Sequence, residues 1–420
     1  MRKIFDTYGG RVYICGGVGG IKMVIREDYL SKLISFKDKD VIKVVTGVRR
    51  CGKSTLFLQY IDWLKTAGVA DADIILINFE DLDYEELCDY KLLYKYISER
   101  LPQNRTAYVF LDEVQNCAGF EKVADSLFIK GNVDLHITGS NAYMLSGELA
   151  TLLSGRYVTV DMLPFSFKEY CMAQAGEKSL EEYFNDYLRF GAFPYVSLQK
   201  RDMASVMPYI EGIFNTIVIK DIASRHGIND IPLLESIIKF AASNIGSCLS
   251  PKKITDTLIS SGRKVSYGTV DAYLHALTES YIFYKADRYD IKGRQHLKTL
   301  SKYYLVDTAI RSLLLSGASA DIGHLIENIV YFELLRRGGR VNVGKLGESE
   351  VDFVCSSAEG VSYFQVSASV LDPATLEREL APLKKISDSH PKFLLTLDKI
   401  GTDSNYDGIR QKYLPDWLSN

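Results

Sequence analysis

Gly47-Val48-Arg49-Arg50-Cys51-Gly52-Lys53-Ser54 has the spacing G-x-x-x-x-G-K-[ST]. Residue types in that order suit the binding of a polyphosphate. The glycines let the backbone curl so that successive N–H groups face phosphate oxygens, and the positive end of the following helix adds to them. Lys53 is expected to reach the β- and γ-phosphates and Ser54 to bind Mg²⁺. The nucleotide contact is assigned to Gly47, Val48, Arg49, Arg50, Cys51, Gly52, Lys53, Ser54 and Thr55, with ATP and Mg²⁺ as the expected cofactors.

A second acidic signature lies downstream, where the apolar run Ala107 to Leu111 ends in Asp112-Glu113. Asp112 is placed to hold Mg²⁺, and Glu113 to polarise a water for attack on the γ-phosphate. That role favours hydrolysis and disfavours a small-molecule kinase. Ser140 or Asn141, at the end of Leu135-His136-Ile137-Thr138-Gly139, is suited to sense the γ-phosphate or to hold the attacking water by a hydrogen bond. Arg156 fits either an arginine finger or a surface ion pair. Arg49 and Arg50 fit either phosphate contact or plain solvent exposure. Asp221 and Arg225 are spaced for an ion pair on one helix face. Cys51 has two readings: a thiol made reactive by the helix start and Lys53, or an inert side chain packed beneath the loop.

These groups need a scaffold. From Val41 to Leu163 strand-like runs alternate with helical patterns, which predicts a parallel sheet covered on both faces. Residues 165–227 read as helical, with a turn at Gly191-Ala192-Phe193-Pro194. Between Pro251 and Lys302 ten Lys and Arg face five acids, a local balance of +5 in a chain of net charge −3. Ser250-Pro251 reads as a helix start, Gly262 as a turn, and Ser266 as the N-cap of a helix from Tyr267 to Ser280. Helix, turn, helix and a basic hairpin make a winged-helix pattern. Its second helix would enter a major groove of duplex DNA, with Arg263, Lys264, Lys292 and Arg294 on phosphates. The alternative is a module that binds a protein partner.

The strings V-V-T-G-V-R-R-C-G-K-S, I-N-F-E-D, F-L-D-E-V-Q, I-T-G-S-N, L-S-G-R, P-F-S-F-K-E-Y and F-G-A-F-P, in this order, resemble the prokaryotic archaeal-type AAA+ ATPases, relatives of the STAND signalling ATPases. The resemblance runs from Met23 to Asn420. It implies ATP hydrolysis, a helical lid, a winged helix and a terminal nuclease-like fold. Glu327, Glu350-Val351-Asp352 and Gln365-Val366-Ser367 resemble the PD-(D/E)XK nuclease framework, with Gln365 where an acid is expected and Ser367 where a lysine is expected. An amide binds Mg²⁺ less well than a carboxylate, and serine cannot replace an ammonium, so the expected domain is degenerate and noncatalytic. Glu327 and Asp352 remain candidate metal ligands there, and a metal-dependent nuclease is the alternative.

Composition sets the outer bounds. The chain has 420 residues, 47% hydrophobic and 25% charged, the balance of a folded multidomain protein. No apolar run approaches the roughly 18 residues of a membrane span. Seven scattered cysteines without C-x-x-C spacing argue against a disulfide framework or a zinc site and suggest a cytoplasmic protein. The expected fold class is α/β multidomain: residues 1–22 an arm or an extension upstream of a start at Met23, 23–164 a P-loop ATPase core, 165–227 a helical lid, 228–305 a winged helix, and 306–420 a nuclease-like α/β domain. The expected function is a DNA-associated ATP-hydrolysing motor or switch. A nucleotide-dependent regulator that binds a protein partner, or a second copy of the chain, is the alternative.

Overall fold

The computed structural model describes residues 13–14, 22–142, 155–174, 176, 178–198, 202–315 and 321–420. The expectations for residues 1–22 fall almost wholly outside this range. The chain divides into two compact units, 1–164 and 165–420.

The first unit is built on five strands, β1 (Ile42–Thr46), β2 (Ile74–Asn78), β3 (Ala107–Asp112), β4 (Val133–Gly139) and β5 (Tyr157–Asp161). They run parallel in the order β2-β3-β4-β1-β5. β1 and β3 are buried along their whole length, which explains their unbroken apolar character: both faces of a parallel sheet are covered. Val44, Ile77, Val109, Leu111 and Ile137 form the core of the sheet with Leu93, Ile97, Ala124 and Leu127 from the covering helices. The helix Glu27–Ser35 buries Tyr29 and Leu33.

The second unit begins with helices Phe167–Gln174, Leu180–Phe190, Pro194–Leu198 and Met203–Thr216, followed by a π-helical stretch Ile217–Ala223. The F-G-A-F-P string makes a turn around a buried carboxylate. Asp307 accepts the Ala192 N–H at 2.6 Å, Gly191 has φ 76°, and a Cβ there would lie 2.2 Å from Asp307 Oδ1. Only glycine fits. Helices Ile231–Ser243, Pro251–Ser260 and Tyr267–Glu279 follow, and Ser250 and Ser266 accept from Lys253 N and Thr269 N as the sequence suggests.

The hairpin of β7 (Phe283–Asp290) and β8 (Gln295–Leu305) continues the helices, with the two-residue β6 (Cys248–Leu249) on its outer edge. Beyond lie β9 (Arg340–Leu346), β10 (Ser349–Ser357), β11 (Gly360–Ser367), β12 (Lys392–Thr396), β13 (Asn405–Tyr406) and β14 (Ile409–Tyr413). All nine form one mixed sheet in the order β13-β14-β12-β11-β10-β9-β7-β8-β6. The sheet takes strands from both sides of residue 305. β9 pairs parallel with Arg288–Asp290 of β7, so the free edge of the hairpin is covered by the terminal strands.

Candidate functional site

The phosphate loop leaves the C-terminal end of β1, where ligands of open parallel sheets bind. Gly47 has φ 146°, and a Cβ there would lie 2.1 Å from Met162 O, so the first motif glycine is fixed by the backbone that leaves β5. Gly52, in left-handed conformation, opens the helix Lys53–Thr66 without a side-chain cap, so its first N–H groups point toward the loop. Beneath the loop, Arg26 is 2% exposed and donates from Nη1 to Cys51 O at 3.0 Å and from Nη2 to Leu163 O at 2.8 Å. The guanidinium thus ties the loop to the chain leaving β5. Nothing in the motif signals this residue; a lone arginine in the apolar string V-I-R is its only trace.

Lys53 is buried. Its Nζ donates to Gly47 O at 3.1 Å and Val48 O at 3.4 Å, and it lies 3.4 Å from Glu113 Oε1. Burial works against its charge, but Glu113, Cys51 and Asp112 together more than offset this and hold its pKa above the ordinary lysine value. Glu113 is pushed up by burial and pulled further down by Lys53 and by the amide of Gln115, so it stays ionised. Asp112 is raised, chiefly by burial, and is hydrogen-bonded by Thr138 and by the exposed hydroxyl residue Ser54. Thr138 Oγ1 also accepts the Glu113 N–H at 2.8 Å, which fixes the two acids relative to β4. Ser54 and Asp112 together present hard oxygen donors of the kind Mg²⁺ takes beside phosphate oxygens.

Ser140 and Asn141 are buried at the end of β4, and Ser140 Oγ lies 3.4 Å from Gln115 Nε2. Arg49 is bound to Glu80 at 2.7 Å, while Arg50, with φ 66°, is exposed. The structure does not bring Arg156 to the loop of its own chain. Arg156 precedes β5, and β5 runs parallel to β1, so it stands at the end of the sheet away from the loop. There it pairs with Asp125 at 2.5 Å. Cys51 is fully buried, and burial raises its thiol pKa despite Lys53 and Arg26 nearby. The reactive reading of Cys51 is corrected accordingly.

In the second unit the terminal acids do converge, around a residue outside the nuclease pattern. Lys302, on β8, places Nζ 2.9 Å from Glu327, 2.8 Å from Glu350 and 4.0 Å from Asp352. Tyr304, two residues on and therefore on the same face of β8, donates to Glu327 at 2.7 Å. Burial opposes the charge of Lys302, but Glu327, Asp352 and Glu350 hold its pKa well above the usual value. Gln365 spends its amide within the fold, donating to Glu379 at 2.9 Å and accepting from Asp352 N at 3.4 Å. Ser367 donates to Ser369 O at 3.1 Å. Lys302 also leaves the basic surface counted from the sequence. Of the DNA candidates, Lys264, Lys292 and Arg294 are exposed, and Arg263 lies 3.9 Å from Asp230. Asp221 and Arg225 stand 3.7 Å apart, as a helix-face pair. Among the described residues no helix is long and apolar enough to cross a membrane.

Comparison with known proteins agrees with this geometry. Residues 39–171 match the family described as AAA domain, and residues 181–321 match a domain of unknown function. The Walker-type ATPase PABY2304 of Pyrococcus abyssi superposes with a TM-score of 0.50 at 16% identity, over 70% of this chain and 96% of that one. An uncharacterized protein of Haemophilus influenzae is 40% identical over 94% of this chain and 98% of its own length. An uncharacterized protein of Methanocaldococcus jannaschii is 30% identical over 86% of this chain and 81% of its own. The chain belongs to the family of these two proteins, with a P-loop AAA-type ATPase fold in its N-terminal unit.

Proposed function

We propose that the protein binds ATP with Mg²⁺ and hydrolyses it, and that nucleotide state governs its hold on a macromolecular partner. The observation that carries this reading is the convergence of Lys53, Ser54, Asp112 and Glu113 at one end of the parallel sheet. Lys53 and the loop N–H groups would bind the phosphates, and Ser54 and Asp112 would hold Mg²⁺, which neutralises phosphate charge. Glu113 would take the proton of the attacking water, and Asn141 lies at the strand end suited to contact the γ-phosphate. Lys53→Ala should remove ATP binding. Glu113→Gln should retain ATP while turnover falls by about 10²- to 10⁴-fold. Binding measured with a fluorescent ATP analogue and hydrolysis measured by phosphate release check both, and equal loss of affinity in the two variants sinks the assignment.

We read the partner as duplex DNA, held through phosphate contacts by Arg263, Lys264, Lys292 and Arg294. If so, replacing Arg263 and Lys264 together by alanine lowers DNA affinity and flattens its salt dependence by about two counterions. A specific observation favours a second reading, a protein partner. The exposed residues of the helix Tyr267–Glu279 include Tyr267, Asp271, Ala272 and His275 and no lysine or arginine. An unchanged salt slope supports it. The terminal region is read as a noncatalytic relative of metal nucleases, because the ammonium of Lys302 already stands among its carboxylates.

A further inference from the structure

Glu113 has both carboxylate oxygens engaged: Oε1 faces Lys53 at 3.4 Å, and Oε2 accepts a hydrogen bond from Gln115 Nε2. The two partners differ in kind. Lys53 has phosphates to move to when nucleotide enters, whereas Gln115 sits in the short 3₁₀ turn Val114–Asn116, two residues along a fixed backbone. Its Nε2 also lies 3.4 Å from the buried Ser140 Oγ. The carboxylate can only accept, so the amide must turn its nitrogen toward Glu113 and its oxygen the other way. That oxygen, Gln115 Oε1, is buried and accepts no hydrogen bond from the described residues. A buried amide oxygen without a donor is costly to keep, so its retention beside a candidate hydrolytic centre points to a donor that arrives with the substrate.

We propose that Gln115 positions the hydrolytic water jointly with Glu113, a conclusion that rests on the ATPase reading above. Nε2 keeps the Glu113 carboxylate aimed when Lys53 leaves for the phosphates, and Oε1 accepts one hydrogen of the water. In the step that follows, the water oxygen bonds to the γ-phosphorus and its other proton passes to Glu113 Oε1. The bond from phosphorus to the β,γ-bridging oxygen breaks, its electron pair leaves with ADP, and inorganic phosphate is released.

The test compares wild type, Gln115→Met, Gln115→Glu and Glu113→Gln by phosphate release, by affinity for a fluorescent ATP analogue, and by melting temperature. Methionine keeps the length but removes both polar atoms, and glutamate keeps an acceptor for water but sets a second carboxylate against Glu113. Each should lower kcat by about 10- to 100-fold while KM and ATP affinity stay within about threefold. A melting temperature equal to wild type in either variant is enough to read its kcat. A kcat within twofold of wild type, while Glu113→Gln is slow, overturns the role of Gln115 and leaves the ATPase reading standing. A parallel loss of ATP affinity and kcat also overturns it, since Gln115 would then hold the site together without acting on the water. Wild-type protein that hydrolyses no ATP, or a Glu113→Gln protein as fast as wild type, removes the ATPase reading and this proposal with it.

Discussion

Lys53 in the first unit and Lys302 in the second are both buried against carboxylates, and the two settings differ in their charge balance. Lys53 faces a single carboxylate oxygen at 3.4 Å, with Gly47 O of its own loop closer at 3.1 Å and Val48 O at 3.4 Å. Those bonds can be exchanged for phosphate oxygens at little loss, because the carbonyls border a loop already designed to turn N–H groups outward. Lys302 faces Glu327 and Glu350 within 2.9 Å and Asp352 at 4.0 Å, with Tyr304 sharing Glu327. It is outnumbered by acids and cannot leave without stranding them. One lysine has a single carboxylate oxygen beside it, and the other is the resident cation of an acidic cluster.

The largest expected effect falls on the second lysine. Lys302→Met should destabilise the second unit by about 3–5 kcal/mol, the usual result of removing one partner from a buried charge pair. If Lys302 fills a cation position, millimolar Mn²⁺ or Mg²⁺ should recover part of the lost melting temperature in Lys302→Met and leave wild type unmoved. Thermal unfolding with and without metal checks both. A Lys302→Met protein as stable as wild type breaks the comparison, and metal stabilisation of wild type shows that the lysine leaves room for an ion.

Acid should separate the two units. Burial in the first unit lowers His136 to about 4, where it stacks on Phe110 at 4.6 Å; burial in the second raises Asp307 to about 6 against the backbone N–H groups that bind it. His136 is neutral in the fold and protonated in the unfolded chain between about pH 6.5 and 4, so the first unit loses up to about 3 kcal/mol as pH falls through that window. Asp307 has the opposite sign. Its folded form binds a proton that the unfolded chain releases above about pH 4, so the second unit loses up to about 3 kcal/mol as pH rises from 4 to 6. Hydrogen exchange followed peptide by peptide at pH 4, 5, 6 and 7 reads each unit separately. His136→Phe should flatten the first trend and Asp307→Asn the second. Trends of the same sign in both units refute the assignment.

The P-loop site was legible because its chemistry is contiguous: motif, strand and helix are neighbours in sequence, and Asp112-Glu113 ends an apolar run that can only be a buried strand. The place of Arg156 was not legible because spacing carries no strand direction: β5 pairs parallel with β1, so the residue before β5 stands at the end of the sheet away from the loop. Lys302 was counted as surface charge because a basic segment gives no sign of which member turns inward. A trace was present in K-Y-Y, where Lys302 and Tyr304 share a face of the strand. The pairing of β7 with β9 was not legible for a related reason: it joins segments more than fifty residues apart, and no local pattern encodes it.

The smallest expected effect concerns the two cysteines that sit beside the two lysines. Cys51 is fully buried under the phosphate loop, with burial raising its pKa and Lys53 and Arg26 opposing only in part. Cys248 is half-buried, with its sulfur 3.8 Å from Glu350 Oε2, and burial followed by Glu350 raises its pKa while Arg288 and Lys302 oppose. Maleimide needs both access and thiolate. Cys51 lacks both, so it should stay unlabelled in the native protein, with or without Mg-ATP, and react only after denaturation. Cys248 has some access but little thiolate, so it should label slowly. Glu350→Gln removes the charge that holds the thiol protonated and should speed its labelling by less than about tenfold, the equivalent of under one pKa unit. Mass spectrometry of labelled peptides over time gives both rates. If Cys51 labels as fast as Cys248, the loop is not packed on Arg26 as described, and the contrast between an enclosed phosphate loop and a half-open acidic site is lost.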